Sequence, residues 1–362
     1  MPDFTEILGP SFGEKLISWF REHRRPLPWR REYHPYHVWL SEIMLQQTQM
    51  DRGVSYFLRW IERFPSLRHV AEASEEEILK YWEGLGYYRR ARNLKAAAEK
   101  ITALGGGELP RTREELLELP GVGEYTSGAI ASIAWNQAVP AVDANVERFF
   151  ARYLDWERSP KDRGFRGILE EIILKVMEMY PPREVTQALM EFGALCCTPR
   201  EPNCEACPLE QFCLARSRGT VLQRPRQEKK APVVQRHVGA GILQDSRGYY
   251  LLYRRPEGDL LGGLWEFPQT EIFQRGALRN SLEVFFRERG FAVTVGERLC
   301  SVRHSFTVNR VLLEAWRCFW IEAPPGELPE GFALVAPPRM AELSFHAGGR
   351  KILEYMTTKE GA

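Results

Sequence analysis

LPGVGEYTSGAI, residues 119–130, sets two glycines two positions apart at the mouth of an apolar run. Leu119 and Pro120 close one helix, and TSGAIASIAW from Thr126 opens the next, so the stretch predicts two helices joined by a tight glycine turn. Gly121 and Gly123 reach backbone angles that other residues avoid and leave no side chain in the way. The second helix then offers free N–H groups and the positive end of its dipole, a combination that grips a phosphate without reading a base. A plain helix–helix turn is the other reading, and the Leu-Pro-Gly-x-Gly context favours phosphate.

Helical spacing spreads outward from this turn. FGEKLISWFREH from Phe12 puts Leu16, Trp19 and Phe20 on one side, and EEEILKYWEGLGYY ends at a glycine. Val146, Phe149, Phe150, Tyr153 and Leu154 form an amphipathic stripe. The first 213 residues are therefore expected to be nearly all helix. Residues 214–232 hold six cations, Arg216, Arg218, Arg224, Arg226, Lys229 and Lys230, against Glu228 alone, with Pro225 and Pro232 and no apolar period. They read as an interdomain linker, either simply solvated or strapped to phosphate. From 233 to 362 the texture changes. HVGAGILQ, a turn at DSRG, and YYLLYRR predict a strand hairpin, VLLEAWRCFWIE a further strand, and LRNSLEVFFRERG a helix ending at Gly290. The expected fold is thus multi-domain: a mostly α first domain, a basic linker, and a mixed α and β second domain.

The totals agree with two soluble cores: 362 residues, 44% hydrophobic and 27% charged. No run approaches the ~18 apolar residues of a membrane span. MPDFTEILGP lacks the basic patch and apolar run of a secretory signal, so a cytoplasmic address is expected. A net charge of +1 gives no bulk hint of a nucleic-acid partner.

Five of the seven cysteines fall between 196 and 213. The spacing Cys197-x6-Cys204-x2-Cys207-x5-Cys213 is a local ligand set for a reducing compartment, not a disulfide framework. Four thiolates suit zinc or an iron–sulfur cluster; one close pair flanked by wider intervals favours the cubane and leaves zinc open. Cys196, Cys300 and Cys318 lie outside the pattern and read as small buried apolar residues.

Two acids stand out. Asp143 in VPAVDANVERFF lies where an extended segment becomes a helix. It reads equally as an N-cap, with Asn145 as a second candidate, or as an ionised carboxylate beside a developing cation. Glu42 in YHVWLSEIMLQQTQ falls between Val38 and Trp39, with Leu45 on its other side. A carboxyl wrapped in apolar residues resists ionising and becomes a general acid near neutral pH. A core glutamate satisfied by a hydrogen bond is the duller alternative.

These features in this order resemble the helix-hairpin-helix DNA glycosylase superfamily, and among its members the adenine DNA glycosylases of the MutY type. LPWR at 27–30, SEIMLQQTQ at 41–49, WEGLGYYRRARNL at 82–94, LPGVGEYT, AVDANV and the four-cysteine loop are similar to that family's blocks, from about residue 12 to 213. The resemblance implies excision of adenine mispaired with 8-oxoguanine or G from duplex DNA. Glu42 would protonate adenine at N7, and Asp143 would stabilise or trap the sugar oxocarbenium, supported by Tyr125 and Asn145. Gly121 and Gly123 would hold the DNA backbone. Gln47, Thr48, Leu85 and Tyr87 would wedge into the duplex around 8-oxoguanine. Trp29, Arg30 and Gln187 would wall the adenine pocket. Cys197, Cys204, Cys207 and Cys213 would hold a 4Fe–4S cluster. The protein would act as a monomer, away from membranes. Relatives of the endonuclease III type carry lysine at the position of Tyr125 and cut the strand through a Schiff base; a phenol cannot form that imine, so base excision without efficient strand cleavage is expected.

The family also carries a Nudix-like C-terminal domain, which the second domain would be. Against the hydrolase pattern REUxEExGU, aligned on Gly290, Val284 and Arg287 stand where metal-binding glutamates belong. A reading module is expected there, not a pyrophosphatase. The family's Phe-Ser-His loop, which touches 8-oxoguanine, corresponds to HSFTVNR at 304–310: Phe306 is kept, Thr307 keeps a hydroxyl, and Val308 replaces the histidine. Competing expectations are another glycosylase on the same scaffold, for a damaged pyrimidine or a T:G mismatch, and a silent lesion-binding protein. The presence of both Glu42 and Asp143 speaks against the last.

Overall fold

The computed structural model describes residues 8–9, 11–105, 107–159, 162–226, 232–259, 261–272 and 277–360. The chain forms two compact units that are not contiguous in sequence: Met1–Glu72 with Asn93–Lys229, and Ala73–Arg92 with Lys230–Ala362. Among the described residues no helix is long and apolar enough to cross a membrane.

The helices of the first unit are α1 (Phe12–His23), α2 (Pro35–Leu45), α3 (Met50–Arg63) and α4 (Leu67–Glu72). After α5 (Glu75–Trp82), which belongs to the second unit, α6 (Arg89–Ala103) crosses between the two segments. α7 (Arg113–Leu117), α8 (Glu124–Ile133), α9 (Ala144–Tyr153), α10 (Arg163–Met179), α11 (Pro182–Leu195) and α12 (Leu214–Ser217) follow. The expected α1 stripe and α9 stripe meet in one core: Leu16, Phe20, Val146, Phe149, Phe150 and Phe192 are all buried. Phe149 stands edge-on to Phe192 at 5.1 Å. Each such side chain contributes about 1.5–3 kcal/mol on burial, so these rings fix how α9 and α11 cross.

Local signals set the ends of the helices around the hairpin. Thr112 and Glu115 form a reciprocal capping box at α7. α7 stops at Leu117, three residues before Pro120. Gly121 turns the chain at φ +79°, where a Cβ would strike Asn93 at 2.7 Å, and Gly123 is the N-cap of α8.

Three of the four arginines of residues 214–226 form ion pairs within the first unit. Arg218 and Arg224 pair with the buried Asp155 at 3.0 and 2.8 Å, and Thr220 donates to it at 2.6 Å. Arg216 pairs with Glu210 at 3.0 Å. The segment is docked on the first unit because its arginines have a buried carboxylate to neutralise. Lys229 and Lys230 lie outside the described residues.

The second unit holds two sheets. One runs β4 (Gln269–Glu271), β1 (Val234–Leu243), β6 (Asn309–Trp320), β5 (Val293–Phe306); the other runs β3 (Trp265–Glu266), β2 (Tyr250–Arg254), β7 (Phe332–Val335). The expected β1–β2 hairpin is therefore corrected. Gln244 bridges Tyr250, and the strands then part into different sheets. The apolar runs explain the parting: Ala240, Ile242, Tyr250 and Leu252 all enter one core with Leu313, Ala315 and Val335. β1 pairs parallel with β6 and β5 antiparallel with β6. Phe306 pairs with Asn309, which leaves Thr307 and Val308 as the turn. The expected helix at 278 is α13 (Leu278–Arg287), with Leu282 and Phe286 buried against Leu243 and Val293. α14 (Pro337–Met340) and α15 (Ala347–Glu360) complete the unit.

Candidate active site

Glu42 reaches a cleft of about 610 Å³ in the first unit from the third turn of α2. The cleft brings together Trp29, Arg30, Gln47, Thr48, Tyr125, Asp143, Asn145 and Gln187, all singled out in the sequence. Tyr125, one residue into α8, donates its hydroxyl to Glu42 Oε2 at 2.6 Å. Asp143 caps α9: its Oδ1 accepts from the Asn145 and Val146 amides at 2.9 and 2.8 Å, and its Oδ2 from Asn145 Nδ2 at 2.7 Å. Capping and facing the cleft are thus one placement, not alternatives.

Burial pushes the Glu42 carboxyl up to about 7, the nearby Asp143 adds to the rise, and the Tyr125 hydroxyl and Arg30 oppose it. The cap bonds hold Asp143 down, as the helix start predicts, but burial outweighs them and its carboxyl titrates above the usual aspartate value.

Three contributors escaped sequence reading. Glu191 of α11, 1% exposed, accepts from Arg25 at 2.7 Å and from Arg30 at 3.0 Å. Despite its burial the two guanidiniums hold it down to about 2. Its signal was the one that exposed Glu42, a lone acid in an apolar stretch, ALMEFGAL. Arg148 donates to Asn145 Oδ1 at 2.9 Å, to the Gly193 carbonyl at 2.7 Å and to the Cys197 carbonyl at 3.0 Å. Gly193 lets α11 come this close, since a Cβ there would meet Asn145 at 2.7 Å. Trp29 is buried, edge-on to Phe57 at 5.0 Å. Gln187, also buried, spends its amide on the Arg183 carbonyl at 3.0 Å.

Cys197, Cys204, Cys207 and Cys213 line a common small cavity together with Cys196, Arg152 and Arg216. Arg152 donates to Cys197 Sγ at 3.4 Å and to the Thr198 and Pro199 carbonyls at 2.6 and 3.0 Å. Among the described residues no three His, Cys, Asp or Glu side chains are arranged to hold a single metal ion. Leu85, Tyr87, Phe306 and Thr307 belong to the second unit. Tyr87 and Thr307 are exposed at φ 47° and 48°, Phe306 is half-buried, and Leu85 is packed away at 7% exposure.

The profile of the HhH-GPD superfamily base excision DNA repair proteins matches residues 40–175, and that of the NUDIX domain matches 239–355. The adenine DNA glycosylase of Mus musculus is 32% identical over 89% of this chain and 73% of its own length. That of Buchnera aphidicola (strain Sg) is 32% identical over 72% of this chain and 75% of its own. This chain belongs to the adenine DNA glycosylase family. The human adenine DNA glycosylase is 35% identical over 78% of this chain, which spans 62% of that relative's length. Among solved structures, a thermostable thymine-DNA glycosylase covers 60% of this chain and all of its own at a TM-score of 0.53 and 27% identity. An endonuclease III–DNA complex shares the fold at 0.51 and 23%, over 61% of this chain. As an adenine DNA glycosylase family member the chain carries both expected domains: a helical fold and a Nudix-like one.

Proposed function

We propose that this protein hydrolyses the N-glycosidic bond of adenine opposite 8-oxoguanine, or opposite G, in duplex DNA. The observation that carries this reading is Glu42, a carboxyl that titrates near neutrality, bonded to Tyr125 in the same cleft as Asp143. Adenine leaves poorly as an anion. A carboxylic acid that is half protonated at pH 7 can give its proton to N7 and make the base a neutral leaving group. The Tyr125 hydroxyl, fixed on Oε2, leaves Oε1 as the oxygen that carries and delivers that proton. Asp143 is aimed by three hydrogen bonds, so its carboxylate form meets the oxocarbenium without reorganising. Water then completes hydrolysis. Tyr125 offers no amine, so the strand stays whole.

A base inside a duplex must be flipped out, at a cost of a few kcal/mol, before it can enter such a cleft. Gly121 and Gly123 would take the phosphate backbone; both are exposed, and the space beside Gly123 is open. Trp29, Arg30 and Gln187 would wall the base. Gln47, Thr48 and Tyr87 would fill and hold the gap, with Leu85 packed behind Tyr87's turn. Phe306 and Thr307 would meet the 8-oxoguanine. The four thiols fit an iron–sulfur cluster: they share one cavity, and Arg152 and Arg216 supply positive charge beside it. Cys197, Cys204, Cys207 and Cys213 would hold a 4Fe–4S group, which when bound would fix the loop.

The test is single-turnover adenine release from duplexes with A opposite 8-oxoguanine, G or C. Release from the first, lost in Glu42→Gln and Asp143→Asn, is expected; no release by the wild type refutes the reading. Borohydride trapping on DNA through the hairpin in high yield would refute the intact-strand part.

A further inference from the structure

The segment Ala73–Arg92 lies inside the stretch matched by the helical family's profile, yet it packs as part of the second unit. Glu83, directly after α5, fastens it, beside Lys80 of α5, which donates to the carbonyls of Ala341 and Leu343. Arg350 of α15 grips Glu83 through two parallel bonds, Nε to Oε1 at 2.6 Å and an NH2 to Oε2 at 2.9 Å. The pair is sheltered, with side-chain exposures of 22% and 14%. Arg350 is itself set by the Leu343 carbonyl at 2.6 Å and lies over the Phe345 ring. Such fork-to-fork pairs fix orientation as well as proximity.

The turn beyond Glu83 is equally determined. Gly84, Gly86 and Tyr87 all take positive φ. Arg90 donates to the carbonyls of Leu85 and Gly86 at 3.3 and 3.1 Å and lies over the rings of Trp82 and Tyr87. Trp82 Nε1 donates to the Gly86 carbonyl at 3.1 Å. The result is a rigid turn that presents an exposed Tyr87.

The next residue on α15 does the matching task for the other reading element. Lys351 donates to the Arg303 carbonyl at 2.9 Å, three residues before Phe306 on β5. Gly348, near the start of the same helix, sits so close to His304 that a Cβ would meet its ring at 2.7 Å. Consecutive residues of one helix thus hold the Tyr87 turn and the Phe306 hairpin.

We propose that Arg350 is a positioning residue for lesion recognition: through Glu83 it fixes the Tyr87 turn to α15, which also holds the Phe306–Thr307 hairpin, so that the two elements read the base opposite adenine as one rigid body. The proposal rests on the glycosylase reading above. Loss of the pair leaves the Glu42 cleft chemically complete and loosens only the reader.

The full-length protein is compared with Glu83→Gln, Arg350→Met and the charge swap Glu83→Arg/Arg350→Glu. Single-turnover adenine release is measured on A:8-oxoguanine and A:C duplexes, and amide hydrogen exchange is measured at residues 84–88. Expected are about tenfold faster exchange at 84–88 and about a tenfold loss on A:8-oxoguanine that exceeds any loss on A:C. The swap should recover part of both. Adding Tyr87→Ala to Arg350→Met should cost no more than Tyr87→Ala alone. Equal losses on the two duplexes, multiplicative effects with Tyr87→Ala, or unchanged exchange would overturn the proposal while wild-type activity stands. Glu83→Gln, which leaves Arg350 on Leu343, supplies the same comparison if Arg350→Met fails to fold. An inactive wild type would sink the glycosylase reading and this one with it.

Discussion

Replacing Glu42 by glutamine should make the protein more stable as it makes it inactive, and the gain should depend on pH. In the native state the Glu42 carboxyl titrates at about 7, against 4.5 for an ordinary glutamate. The folded protein therefore holds this proton more tightly than the unfolded chain does. Stability from Glu42 is fully present below pH 4.5 and drains away as pH rises towards 7, where the native carboxyl ionises too. A rise of 2.5 units at 1.36 kcal/mol each amounts to about 3 kcal/mol lost by pH 8. Glutamine keeps the shape and can accept from the Tyr125 hydroxyl, but it never has to be charged in that cleft. Urea or thermal unfolding of both proteins, followed from pH 5 to 8.5, should show a difference under about 1 kcal/mol at pH 5. It should grow to about 3 kcal/mol at pH 8, or roughly 6–12 °C in Tm for a unit of this size. Parallel stability curves, or a variant less stable than wild type at pH 8, would refute the placement of a neutral acid at Glu42.

The same titration governs rate: adenine release should fall about tenfold per pH unit above about 7. In Tyr125→Phe the alkaline limb should move up by about one unit, because the lost hydrogen bond favours the ionised form; single-turnover pH profiles will show the direction. Arg148→Ala should cost about 2–4 kcal/mol of stability by unpairing the Asn145, Gly193 and Cys197 oxygens, and should slow release at saturating DNA, which denaturation and kcat measurements will separate. Thr307→Gly should raise stability by about 1 kcal/mol, since a β-branched residue there sits at φ 48°, and differential unfolding against wild type tests it.

Much of this was legible in the residues. The α1 and α9 stripes, the glycine turn, Asp143 and Glu42 each carry a local signal of period, cap or misplaced charge, and each stands where that signal put it. What was hidden depends on partners far apart in the chain. Arg148 carries no local signal in the sequence. Only the approach of Gly193, 45 residues on, makes it the support of Asn145. The cations of 214–232 suggested solvent or phosphate because the counter-ion of Arg218 and Arg224, Asp155, lies some sixty residues upstream. The β1–β2 turn was read correctly as a turn. Whether two strands stay paired beyond it depends on what covers both faces, and a single strand's sequence does not say. Leu85 and Tyr87 looked alike as wedges in the sequence, and only burial separates them.

Burial raises both glutamates of the cleft, and their partners send them opposite ways. Glu191, clasped by Arg25 and Arg30, is a fixed charge with its set-point at about 2; Glu42, facing a phenol, has its set-point at about 7. Beside them stand the guanidiniums of Arg25 and Arg30, and Asp143, whose own carboxyl burial has raised. A cell that turns mildly acid does not discharge Glu42. It keeps the acid loaded, and only a drift to alkalinity unloads it.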